Sequence, residues 1–153
     1  MLNKLKIVTM RSKKQTEDLP ICKEDMADEY FFNAFAKNKN FANEEFDWVA
    51  RYCITNGDIE AWFALLLFNK KSVVIVEIEY NATPNNISVR RLIEKVEKFK
   101  ILHPNYKNHN IYLGVAAMTF RSGLEERLHR NGIATIRQVG KKMVVYDKEV
   151  KVF

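Results

Sequence analysis

The run from Ile59 to Tyr80, I-E-A-W-F-A-L-L-L-F-N-K-K-S-V-V-I-V-E-I-E-Y, constrains this chain more than any other stretch. Two apolar segments rich in β-branched and aromatic residues flank Asn69, Lys70 and Lys71. They read as antiparallel strands, Ile59 to Phe68 and Ser72 to Tyr80, joined by a two-residue loop at Lys70-Lys71. A strand sends alternate side chains to opposite faces, so Val74, Val76, Ile78 and Tyr80 share one face and Val73, Ile75, Glu77 and Glu79 the other. Glu77 and Glu79 then lie about 7 Å apart at roughly 3.3 Å per residue. Two carboxylates ending a buried strand are costly unless a divalent cation, a basic side chain or solvent meets them. With Asn69 paired to Ser72, the hairpin count sets Ala64 across from Glu77 and Trp62 across from Glu79. The carboxylates therefore face an alanine and a tryptophan, not a cation, and the pKa of at least one should rise.

Around this hairpin the chain reads as one α/β domain. Residues 1–20, basic and then acidic, read as either a poorly ordered arm or a peripheral strand over Leu5 to Met10. Ile21 to Lys37 reads as a helix whose buried stripe is Met26, Tyr30 and Ala34, with Phe31 and Phe35 beside it. Asp25, Asp28 and Glu29 in its early turns suit the helix dipole. Phe46 to Thr55 reads as a strand, with Asn56-Gly57 as the following turn. A helix over Ile87 to Leu102 buries Val89, Leu92, Ile93, Val96 and Phe99 and exposes a mixed, net basic face. After that crossover, Ile111 to Ala117 should pair in parallel. A short helix, Ser122 to Arg130, closes at Asn131-Gly132. A hairpin of Ile133 to Val139 and Met143 to Tyr146 turns at Gly140-Lys141. The order helix, three-strand meander, helix, strand, helix, hairpin predicts a mixed sheet with flanking helices.

Totals exclude several classes. At 153 residues and 47% hydrophobic content, with only 5 Gly and 3 Pro, the chain suits a single globular core rather than a disordered one. No apolar run is long enough to span a membrane, and the basic N-terminus lacks the pattern of a secretion signal. Cys22 and Cys53 read as two reduced, buried thiols of a cytoplasmic protein. His103, His109 and His129 show no ligand spacing and read as surface residues. Trp48 and Trp62 read as core or sheet-face packing. There is no Gly-rich phosphate loop and no visible hydrolase triad. The net charge of +6 permits a polyanion partner such as nucleic acid.

The segments E-Y-F-F-N-A-F-A-K-N-K-N-F, L-L-L-F-N-K-K-S-V-V-I-V-E-I-E-Y-N-A, H-P-N-Y-K-N-H-N-I-Y-L-G-V-A-A and G-I-A-T-I-R-Q-V-G-K-K-M-V-V carry a resemblance. From about Ile21 onward the chain resembles the PD-(D/E)XK nuclease superfamily, in a bacterial branch of restriction-endonuclease-like proteins. The resemblance implies an αβββαβ core. It implies an acid on the first helix, an Asp on the second strand and Glu-x-Lys on the third. The acids hold magnesium, and the metal and lysine prepare a water that attacks a phosphodiester. Carried onto this sequence, the helix acid is Glu29 and the third-strand Glu is Glu77. The lysine position holds Glu79 and the Asp position holds Ala64. Asp58 and Glu60, upstream on the same hairpin, are roughly 20 Å and about 13 Å from Ala64 along a regular strand, so neither replaces it cleanly.

Three readings follow. The first is a nuclease-like domain, 21–153, that has lost catalysis and serves in DNA binding or assembly, with Arg90, Arg91, Lys95 and Lys98 as the basic contacts and no cofactor. The second is an active magnesium- or manganese-dependent endonuclease in which Glu29, Glu77 and Glu79 hold the metal and Lys95 or Lys98 replaces the missing lysine. The third is a protein-interaction module, with Ile59 to Phe68 at a homodimer interface.

Overall fold

The computed structural model describes residues 6–8 and 22–153. Most of the expected basic arm, 1–20, lies outside the described residues. Its Lys6–Val8 segment (β1) is a strand that pairs antiparallel with Cys53–Thr55.

Lys23–Lys37 forms the first helix (α1). Asn40–Phe41 (β2) and Glu44–Glu45 (β3) make a small separate hairpin that sequence patterning did not reveal. Its turn residues Ala42 and Asn43 both have positive φ, as a two-residue turn of the I′ type requires. Trp48–Asn56 (β4), Ile59–Phe68 (β5) and Ser72–Ala82 (β6) form the expected meander. The β4–β5 turn is Gly57-Asp58, one residue later than expected, because Asn56 already pairs with Ile59 and Gly57 takes the positive φ. Val89–Leu102 (α2), Asn110–Phe120 (β7), Leu124–Arg130 (α3), Ala134–Val139 (β8) and Lys142–Tyr146 (β9) follow.

The sheet has seven strands in the order β1-β4-β5-β6-β7-β8-β9. β6, β7 and β8 run parallel, as expected for helical crossovers, and the remaining pairs are antiparallel. Two cores sandwich the sheet. One lies under α2 and α3 and includes Phe63, Leu66, Val73, Ile75, Leu92, Val96, Phe99 and Leu128. The other lies under α1 and includes Ala27, Phe31, Phe35, Leu65, Leu67, Val74 and Val76. The alternation read for Val73 to Tyr80 is therefore correct: Val74, Val76, Ile78 and Tyr80 face α1, and Val73 and Ile75 face α2.

The first helix is rotated from its expected stripe, while α2 buries the expected one apart from Ile93. α1 buries Ala27, Phe31 and Phe35, while Met26 is 47% exposed. The two phenylalanines at i, i+4 bring more apolar area to the sheet than Met26 and Ala34 would, and they set the rotation. α2 buries Leu92, Val96, Phe99 and Leu102 and leaves Ile93 at the surface. Ser88 caps α2 by accepting from the Arg91 amide.

The histidine and cysteine expectations also need correction. His103 is half-buried, stacked on Phe99 at 4.2 Å between ring centres. Its Nε2 lies 2.7 Å from the Tyr52 hydroxyl and its Nδ1 3.2 Å from the Phe99 carbonyl oxygen. A carbonyl can only accept, so Nδ1 carries the proton and Nε2 accepts from Tyr52. His129 Nε2 meets the buried Thr135 hydroxyl. Cys22 is exposed and Cys53 half-buried, both as free thiols. Trp48 packs face-to-face on Phe68 at 4.3 Å yet stays 48% exposed. Among the described residues no helix is long and apolar enough to cross a membrane.

Candidate functional site

The sheet opens between β5 and β6. From Phe68–Val73 to Leu65–Val76 the two strands are paired, and there their pairing ends. β6 continues alongside β7 to Ala82, and β5 runs back alongside β4 to Ile59. The next step in register would join Ala64 to Glu77, so both stand at the mouth of this fork. Trp62 does not sit across from Glu79, because the strands have already parted.

A bulge explains the parting. Ala50 pairs with Leu66 and Tyr52 with Phe63, so Ala64 and Leu65 together oppose the single Arg51. Both Ala64 and Leu65 consequently face the α1 core. A bulge bends its strand and increases its twist, which swings Ile59 to Ala64 away from β6. Arg51 fills the kink. Its Nε donates to the Ala64 carbonyl at 3.2 Å and its Nη2 to the Asp28 carbonyl at 2.9 Å. Its side chain is 13% exposed and its guanidinium lies 4.7 Å from the Phe32 ring centre.

Glu77 does not face an uncharged wall. It projects to the α2 side, where Lys95 Nζ donates to its Oε2 at 2.6 Å, each side chain being 22% exposed. The hairpin count paired the carboxylates with β5 alone, whereas the second reading had named Lys95 or Lys98 as the lysine of this site, and it is Lys95 that meets Glu77. Burying Leu92, Val96 and Phe99 turns Lys95 toward the fork. Glu79, on the same face of β6, has its pKa raised, first by burial and then by the neighbouring Glu77 charge. The expectation that one of the two glutamates would be hard to ionise therefore holds.

Of the acids on α1, Asp28 feels the Glu77 charge, and Glu24 and then Asp28 act on Glu79. Glu29 is turned toward Arg51, 3.9 Å from Nη1. Its neighbour Asp28 is pushed up to about 6, chiefly by burial; Arg51 pulls it down, while Asp25 and Glu77 add to the rise. Asp28 stands three and seven residues before Phe31 and Phe35. That spacing would have marked it as the inward acid had the stripe been read from the two phenylalanines.

A cleft of about 420 Å³ opens from the fork along α2. Trp62, Glu77, Ser88, Arg91, Lys95 and Lys98 are among its walls. Three of the four expected basic contacts thus meet there. The fourth, Arg90, is turned to solvent and pairs with Glu94 at 3.4 Å. Lys95 is committed to Glu77, which leaves Arg91 and Lys98 as cleft cations with no salt bridge among the described residues.

The donor set does not fit a magnesium or manganese ion. Such an ion needs several convergent oxygens. Glu77 is already bonded to an ammonium, Ala64 offers no oxygen from its side chain, and Glu29 points to Arg51. No three His, Cys, Asp or Glu side chains among the described residues converge to hold a metal. Glu29, Glu77 and Glu79 therefore do not form the three-carboxylate site considered from the sequence. Instead, the fork offers a salt-bridged carboxylate and two acids that resist ionisation, beside a cleft whose walls mix Arg91, Lys95 and Lys98 with Glu60, Glu77 and Glu94. In comparisons with known proteins, no family model, curated sequence or solved structure matches this chain.

Proposed function

We propose that this is a nuclease-like domain of the PD-(D/E)XK type that has lost metal-dependent cleavage and works by binding nucleic acid, alone or within an assembly. The restriction-endonuclease-like core is part of the same proposal. It is supported by the αβββαβ order and by a cleft at the fork where β5 leaves β6. The observation that carries the loss of cleavage is the Lys95–Glu77 ion pair on the α2 side of the fork, with no acid supplied by Ala64, whose side chain faces the α1 core. Binding rests on Arg91 and Lys98, with Trp62 at the rim as an aromatic surface for a base.

The test incubates plasmid, single-stranded DNA and RNA with the wild type and Glu77→Ala in millimolar magnesium or manganese. Binding is followed by fluorescence anisotropy at low and moderate salt. The expected outcome is no metal-dependent cleavage by either protein, and salt-sensitive binding that Arg91→Ala/Lys98→Ala weakens. Metal-dependent cleavage that disappears in Glu77→Ala would overturn this reading in favour of an active nuclease. One observation favours that second reading: Lys95 stands beside Glu77, where it supplies a lysine that β6 itself lacks.

A further inference from the structure

We infer that β9 is a dimerisation edge: two copies of this chain join antiparallel along it, about a two-fold axis at Val144, into one continuous sheet. β5, the strand considered for a homodimer from the sequence, lies inside the sheet between β4 and β6. β9 is the outermost strand and pairs with β8 alone. Val139 and Lys142 close the two-residue turn at Gly140-Lys141, so they form a hydrogen-bonded pair, and bonded pairs recur at every second step. Val144 and Tyr146 therefore turn their main-chain groups toward Arg137 and Thr135, while Met143 and Val145 turn theirs outward. Among the described residues nothing bonds to the outward N–H and C=O of Met143 and Val145. Little blunts this edge: its register with β8 has no bulge, it holds no proline, and its lysine stands at the first position. Val139 and Tyr146 are exposed and Met143, Val144 and Val145 half-buried, so apolar side chains flank the open edge on both faces.

The charges at its two ends select a second copy as the occupant. Lys141 and Lys142 precede the apolar centre of the strand, and Asp147 and Glu149 follow it. An antiparallel second copy lays the basic start of each strand along the acidic end of the other. With the axis at Val144, Met143 lies opposite Val145 of the second copy and Val145 opposite its Met143, and each pair exchanges both of its outward N–H and C=O groups. Val144 meets its own counterpart, Lys142 lies along the Tyr146 ring of the second copy, and Lys141 faces its Asp147. Neither Lys141 nor Asp147 has a salt bridge within its own copy among the described residues. Asp147 accepts from the Ala42 amide through Oδ2, at 2.7 Å, which leaves Oδ1 for the lysine. Moving the axis one residue forward opposes Lys142 to Lys148, and moving it one residue back lays Lys141 on Val145. Val144 is the centre at which main-chain pairing and charge agree.

Sedimentation equilibrium of the full chain, from micromolar to near-millimolar concentration, reads the oligomeric state, and circular dichroism reads the fold. The wild type should be a reversible dimer. Val145→Pro removes an outward N–H without breaking a bond to β8, and should be a folded monomer. If that variant does not fold, Val144→Lys, which sets two like charges on the axis, should be the monomer. Lys141→Glu should weaken association roughly tenfold, since two attractive pairs turn repulsive, and Lys141→Glu/Asp147→Lys should restore it. In a Cys22→Ser/Cys53→Ser background, oxidised Val144→Cys should cross-link two copies, because facing residues of an unbonded pair have Cα atoms about 4.5 Å apart. Lys142→Cys should not, its two copies being roughly 13 Å apart along the strands. A wild type that stays monomeric throughout overturns the inference. So does a dimer that survives both Val145→Pro and Val144→Lys, or one in which the charge exchange restores nothing and Val144→Cys does not cross-link.

Discussion

Asp28→Asn should stabilise this protein at neutral pH. Its carboxyl is pushed up to about 6 from an ordinary value of 3.8, mainly by burial. The folded state thus holds the Asp28 proton to higher pH than the unfolded chain does. For such a raised acid, native stability is greatest below the unfolded pKa and falls as pH rises from about 4 through 6. Taken whole, the rise would correspond to about 3 kcal/mol lost by neutral pH, at 1.36 kcal/mol per pH unit. Asp28 is only partly buried, so solvent screening reduces this to about 1–2 kcal/mol. Asparagine is nearly isosteric and leaves intact the main-chain carbonyl that Arg51 holds. Urea unfolding of both proteins at pH 7.5 and pH 4 measures the effect. The variant should gain about 1–2 kcal/mol at the higher pH and almost nothing at the lower, where both side chains are neutral. A variant that is less stable at pH 7.5, or equally shifted at both, refutes the claim that the Asp28 charge is costly.

Arg51→Met removes two charge-assisted hydrogen bonds to carbonyls on different elements and should cost about 3 kcal/mol in chemical denaturation; a cost below about 1 kcal/mol would show that the bulge closes without it. His103 is held neutral by burial, with its pKa lowered from the ordinary value. The unfolded state therefore takes its proton first, and stability is lost as pH falls through about 6.5, the value of an unperturbed histidine. Replacing it by phenylalanine should flatten that loss between pH 7 and 5.5, and an unchanged profile would place the responsible group elsewhere.

The β5–β6 hairpin was legible because its signals are local. β5 runs from Ile59 to Phe68 as read, and the Asn69 amide bonds to the Ser72 carbonyl as the two-residue loop requires. The parallel crossover to β7 was legible for a similar reason: a long amphipathic helix between two strands leaves few connections that avoid crossing the sheet. The candidate site was legible in part. Glu77, Glu79 and Ala64 were found by register counting, which works while a strand is regular. It failed two residues further on, at Trp62, because the bulge opposite Arg51 depends on a buried guanidinium that no alternation pattern encodes.

What the sequence determined alone was therefore the order of elements, the two faces of β6 and the position of two carboxylates at the end of a buried strand. These follow from nearest-neighbour chemistry: β-branching, turn residues and a period of two. The tertiary structure decided which charges meet. Phe31 and Phe35, packing on the sheet, rotated α1 so that Asp28 is half-buried under the influence of the Glu77 charge while Glu29 turns to Arg51. Leu92, Val96 and Phe99, packing on the other face, brought Lys95 across eighteen residues of chain to Glu77. Helix rotation is set by whichever apolar set buries more area against a partner surface, and that surface exists only once the sheet has formed.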